Sequence, residues 1–180
     1  MKNLLFTAAL TIGAIVLTSN TAQAQNTTAT TTVNITLADV ISIDAGSAAT
    51  DGVVDFNYVT AEDYNTTQTK TVANSLIVTS TKNFNVTLKA DGANFVNGSD
   101  NIPVNVLTIK ASAGGNMVGT ENAVVLSTSD QVLIGNATKG SARTLNLDYE
   151  IPASESSSDK ILGKPAGAYT QTVTYTATAI

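Results

Sequence analysis

Two short patterns spell the serine chemistry of penicillin-recognising enzymes: Ser157-Ser158-Asp159-Lys160 satisfies Ser-x-x-Lys, and Ser99-Asp100-Asn101 satisfies Ser-Asp-Asn. A serine acylated with help from a lysine needs those patterns in the opposite order, a Lys-Thr-Gly, and a helix N-terminus under the nucleophile. Here Lys-Thr-Gly is absent and the serine sits in a polar run, so both matches read as coincidence in a Ser-rich chain. Asp91, Asn94, Asn97 and Asp100 offer hard oxygen ligands of the type extracellular Ca²⁺ sites use, but their spacing fits no defined calcium loop. Asp, Asn and Gly are equally what a tight turn selects, so turn chemistry is the primary reading and a weak cation site stays open. Glu62 and Asp63 are adjacent, hence on opposite faces if extended, and read as a solvated loop rather than a glycosidase acid pair. Tyr58, Tyr149, Tyr169 and Tyr175 fall in the apolar register of their segments and are expected in the core, leaving Tyr64 as the ring to watch for stacking on a sugar. With no Cys, His or Trp, the chain has no Cys/His zinc set, thiol nucleophile, His-based triad or histidine pH switch. No catalytic, cofactor-binding or metal residue is assigned, and a non-enzyme without cofactor is expected.

The elements that would position these groups are strands. Thr is the commonest residue, with 29 of 180 positions, and period-2 alternation recurs while no helical period appears beyond the N-terminal segment. Val33, Ile35 and Leu37 alternate with polar neighbours; residues 40–43 form a further segment; Val54, Phe56 and Tyr58 alternate again. Strands are also expected over residues 75–80, 84–88, 102–109, 123–127, 131–134, 143–151 and 169–180. The apolar phase switches between Val106 and Leu107, as at a bulge or a strand that changes sheets. Leu145, Leu147, Tyr149 and Ile151 form one wholly apolar face against Thr144, Asn146, Asp148 and Glu150, and a Thr ladder runs along the last strand. Residues 152–164 read as a solvated loop. About nine short, mainly antiparallel strands predict one all-β, Ig-like sandwich.

Lys2, the apolar run of residues 4–17 and the small-x-small site Ala22-Gln23-Ala24 predict a secretory leader over residues 1–24 and a β-sandwich domain over residues 25–180. Fourteen predominantly apolar residues fall short of the roughly 20 a membrane helix needs, so no span is expected after cleavage. The whole chain carries 9 basic and 14 acidic side chains, and losing Lys2 makes the excess negative charge −6. The basic residues are scattered singly, which argues against nucleic acid as a partner. A mature chain of 156 residues can bury enough surface to fold without disulfides.

The segment Leu145-Asn146-Leu147-Asp148-Tyr149 through Ile151-Pro152-Ala153, followed by Gly163-Lys164-Pro165-Ala166-Gly167-Ala168-Tyr169-Thr170-Gln171-Thr172-Val173-Thr174-Tyr175, resembles the closing hairpin of secreted bacterial surface domains. These are an uncharacterised Ig-like family of Gram-negative bacteria, the spore-coat-U and fimbrial-subunit group and, distantly, WxL domains. The likeness is specific over roughly the last 35 residues. The disulfide frequent in pilins and the Trp motifs of WxL domains are missing. The resemblance implies fold, export and a structural or adhesive surface role, and transfers no ligand residue.

The expected protein is therefore secreted to the periplasm, cell surface or exterior, as a structural or adhesion component of fimbria-like type. The alternative is a module that binds carbohydrate or peptidoglycan. Expected partners are envelope polysaccharide or other copies of the chain. Residues 31–37 are expected as a strand that completes the sandwich, within its own domain or in a neighbouring copy, with the self-completed monomer favoured.

Overall fold

The computed structural model describes residues 28–180; the expected leader lies outside the described residues. The chain divides into residues 1–36 and 37–180. In the first unit, residues 28–36 hold neither helix nor strand.

The second unit is an all-β sandwich. Its strands are β1 (Ile41–Ile43), β2 (Gln68–Ser80), β3 (Phe84–Ala90), β4 (Asn94–Asn97), β5 (Asp100–Pro103), β6 (Thr108–Ser112), β7 (Thr120–Glu121), β8 (Val124–Val125), β9 (Gln131–Ala137), β10 (Gly140–Ile151) and β11 (Val173–Ala179). One sheet runs β1-β2-β10-β6-β8, the other β11-β3-β9-β7, and β4-β5 is a separate hairpin. Every pairing is antiparallel. The described residues hold eleven strands: the expected segment 102–109 splits into β5 and β6, and β4 and two-residue β7 are too short or too polar to show an alternation.

The clearest sequence pattern became the centre of the fold. β10 buries Leu145, Leu147, Tyr149 and Ile151 in one continuous core with Phe84, Val86 and Leu88 of β3. Its opposite face is half-buried rather than bare: Asp148 accepts a 2.6 Å hydrogen bond from Thr71, and Glu150 pairs with Lys110 at 2.7 Å. The phase switch at Val106/Leu107 marks a change of sheets. β5 ends in a 3₁₀ turn, Val104–Val106, and β6 begins in the five-stranded sheet.

Three expectations need correction. Residues 31–37 form no strand, and Val33, Ile35 and Leu37 are 77%, 81% and 88% exposed. Residues 53–58 keep the expected alternation of burial but join no ladder. Residues 152–164 are not simply solvated: a short helix α2 (Ala153–Ser156) and following turns bury Ser156 and Ile161. Period 2 sets which side chains turn inward; it does not ensure that a neighbouring edge lies within hydrogen-bond reach.

A polar chain crosses the apolar core. Tyr175 of β11 bonds Tyr149 of β10 at 2.7 Å, and Tyr149 bonds Ser75 of β2 at 3.4 Å, linking the two sheets. Burial pushes the Tyr175 hydroxyl far above its ordinary value of 10.0, and the neighbouring Tyr149 adds to that. The folded state therefore favours the neutral phenol, and this stability is complete below about pH 10. It is lost as pH rises beyond that value, where the unfolded tyrosine ionises first. Urea melts at pH 8 and 11 should show a steeper alkaline loss for the native chain than for Tyr175→Phe. At neutral pH either single Phe substitution should cost about 1–3 kcal/mol, because a buried hydroxyl loses its partner. The double variant Tyr149→Phe/Tyr175→Phe should cost less than the sum; strict additivity would show that the hydroxyls do not act as a pair.

Candidate functional site

The residues that could do chemistry do not assemble. Ser157 caps α2 and donates from Oγ to the Ala153 carbonyl at 2.8 Å, while the Lys160 ammonium is held by Glu155 at 2.8 Å. Ser99 and Asp100 belong to the β4-β5 turn, where Gly98 takes φ +59°. Each motif's polar groups are engaged in these local contacts.

The oxygen-rich stretch from Asp91 to Asp100 is a hairpin and its approach. Asn94 and Asn97 lie on β4, Asp100 pairs across from Asn97, and Asp91 accepts a 2.6 Å bond from Thr174 of β11. Among the described residues no three acidic side chains gather to hold a metal ion.

Glu62 and Asp63 are not in an extended loop but in α1 (Ala61–Asn65). Thr60-Ala61-Glu62-Asp63 is a capping box: the Thr60 side chain accepts from the Asp63 amide, and Asp63 accepts from the Thr60 amide at 2.7 Å. The Thr60 amide, with further help from the Val59 amide and Thr60 hydroxyl, holds the Asp63 carboxyl below the usual range. The signal was legible as Thr-x-x-Asp, and its role is to start a helix. That helix turns Tyr64 inward, where it lies 4.9 Å from the Tyr58 ring with a 44° tilt. Tyr58 is itself half-buried and bonds the buried Ser156 at 2.8 Å. The ring expected to be free for sugar stacking is thus packed against the core.

What the fold leaves open is one flank of the sandwich. Among the described residues β11 is the edge of its sheet and pairs only with β3, so its other edge has no strand partner there. β1 covers β2 only from Val78 to Ser80, and residues 44–49 cap the adjoining stretch through the Asn74, Ser75 and Ile77 carbonyls. From residue 68 to residue 73 that edge of β2 has no partner among the described residues. Residues 52–59 lie along this opening, with Val54, Phe56 and Tyr58 packed against the core and Val53 and Val59 80% and 84% exposed.

This strap plugs the flank without being stitched to it. Among the described residues, no main-chain hydrogen bond is made by residues 52–58. A solvent-open cleft of about 760 Å³ has Val54 and Phe56 in its wall together with Val72 of β2 and Val173 and Tyr175 of β11. A second, of about 590 Å³, lies by Tyr58, Tyr64, Phe95 and Tyr169. Free strand edges beside a cleft with apolar side chains in its wall are suited to accepting another strand.

The described part of the chain also holds a segment with the matching pattern. Val33, Ile35 and Leu37 alternate with Thr32, Asn34 and Thr36 in an exposed run. Sequence reasoning identified this pattern and the Thr-rich edge strand; it missed the strap, whose alternation is indistinguishable from that of a paired strand.

No protein-family profile, curated protein or solved structure gives a significant match to the chain. Among the described residues no helix is long and apolar enough to cross a membrane.

Proposed function

We propose that the protein is a non-enzymatic structural component of the bacterial cell surface that associates with other copies of itself by strand addition. The carrying observation is the pairing of an exposed alternating segment, residues 31–37, with a sandwich flank whose β11 edge is unpaired. Burying Val33, Ile35 and Leu37 in another copy is worth about 5–8 kcal/mol, comparable to the stability of a whole domain. Main-chain bonds to β11 supply register and direction. An exported, disulfide-free sandwich of this kind suits an extracellular structural role.

The exposed state of those three side chains favours donation over the self-completed monomer. The sugar-binding alternative has less support, because it calls for an exposed aromatic platform and Tyr58 and Tyr64 pack on each other and on the core.

Light scattering coupled to size exclusion tests the reading. Residues 25–180 should form concentration-dependent oligomers, while a chain starting at Ala38 should remain monomeric with an unchanged circular dichroism spectrum. A monomeric long form at all concentrations, or oligomers that persist without residues 25–37, defeats it.

A further inference from the structure

We infer that residues 52–59 are a displaceable strap, holding the open flank until residues 31–37 of a second copy replace them. This rests on the assembly reading above and names where the incoming strand lands and what must leave.

The two segments compete for the same kind of place. In the strap, Val54, Phe56 and Tyr58 turn toward the core while Asp55 and Asn57 lie between them. In residues 31–37, Val33, Ile35 and Leu37 repeat that spacing with Thr and Asn between. The difference is in the backbone. The strap occupies the flank without a ladder, whereas a strand seated against β11 would satisfy main-chain groups of both partners. Its polar face would then lie alongside Thr174, Thr176 and Thr178 of β11, to which Thr32, Asn34 and Thr36 are suited as cross-strand neighbours. Leaving costs the strap its apolar contacts and the hydrogen bond between the Tyr58 and Ser156 hydroxyls, while at its end the Val59 amide donates to the Asp63 carboxylate.

Both ends of the strap are built as fixed points. On the N-terminal side, residues 44–50 are fastened to β2: the Asp44, Ala48 and Ala49 amides donate to the Ile77, Asn74 and Ser75 carbonyls at 2.7–2.9 Å. Asp51 then takes φ +53°, and Gly52 packs where any Cβ would collide with the Ala48 carbonyl oxygen. On the C-terminal side the Thr60/Asp63 capping box starts α1. A segment tethered between two such anchors, and bordering a cleft, can swing out without unfolding its neighbours.

The chain has no cysteine, so Phe56→Cys introduces a single thiol on the inner face of the strap. Maleimide labelling of residues 25–180 carrying this change should accelerate about tenfold as the chain associates, since exposure follows the population in which the strap has left. Hydrogen exchange on the unsubstituted chain provides a readout that needs no variant: amides of Val173–Ala179 on the outer edge should gain protection on association. Phe56→Ala weakens the strap as a competitor and should move association to about tenfold lower concentration; a merely structural role predicts weaker association or none. Association with new protection on β11 but unchanged labelling overturns the strap proposal while the assembly reading survives; association without that protection overturns both. Absence of association overturns both.

Discussion

Leu147→Asp should leave no folded domain at 25 °C, whereas Asp148→Leu, one residue along the same strand, should melt within a few degrees of the native chain. Leu147 is completely buried at the centre of β10, between β2 and β6. Removing it costs about 2–5 kcal/mol of burial and packing, and the unpaired carboxylate adds several more. The sum rivals the whole stability of an ordinary domain, about 5–15 kcal/mol. Asp148 lies on the outer face, where its loss removes the bond from Thr71. That bond is worth about 1.5–3 kcal/mol at most, and the added β-sheet burial offsets part of it. Thermal melts followed by circular dichroism decide the matter, and equal melting temperatures for the two variants would falsify the assignment of faces.

The same strand explains how much of the fold could be read beforehand. In β10 and β3 the alternation was regular, each inward residue is deeply buried, and the expected strand centres are the observed ones. In β2 only residues 75–80 were legible. Its pairing with β10 jumps from Leu145↔Leu76 to Leu147↔Val72, so the strand carries extra residues at a bulge. There Asn74 takes φ +49° and its amide donates to Asn146 Oδ1 at 2.8 Å. A bulge resets the period of 2, so an observer of the sequence alone loses the strand's first half.

Other elements were illegible for different reasons. Ser156 lies in a run of serines that looks solvated, yet it is buried because Tyr58 comes from almost one hundred residues away to bond it. Composition carries no trace of such a long-range partner. Residues 31–37, 53–58 and 173–179 all show strand alternation, but only the last belongs to a ladder. Sequence periodicity reports which side chains share a face, while pairing depends on which edges are free in space. The candidate site is therefore a property of topology: it exists because β11 ends its sheet and β1 is too short to cover β2. Its chemistry is main-chain and apolar, which is why a search for catalytic or ligating side chains does not find it.

Phe84→Ala should cost about 3–5 kcal/mol, the next largest effect expected of a single truncation. Phe84 is wholly buried at the start of β3, and its cross-strand partners are small: Ala137 on β9 and Ala179 on β11. A large ring between two alanines fills space that neither neighbour can reach, so removing it leaves a void that the rigid sheet cannot close. The local backbone resists collapse, since the Asn83 side chain donates to Asn136 and accepts from the Lys139 amide while Asn85 accepts from the Asn136 amide. These three bonds hold β3 and the end of β9 at fixed spacing on either side of the ring. Ala137→Leu placed on Phe84→Ala should restore part of the loss, whereas Ala137→Leu alone should destabilise by overpacking. A double-mutant cycle by urea titration measures the coupling, and independent, additive effects would mean that the two residues do not share one volume. Because Phe84 belongs to the paired part of the sheet, away from the strap, the truncation should lower stability without the gain in association expected of Phe56→Ala.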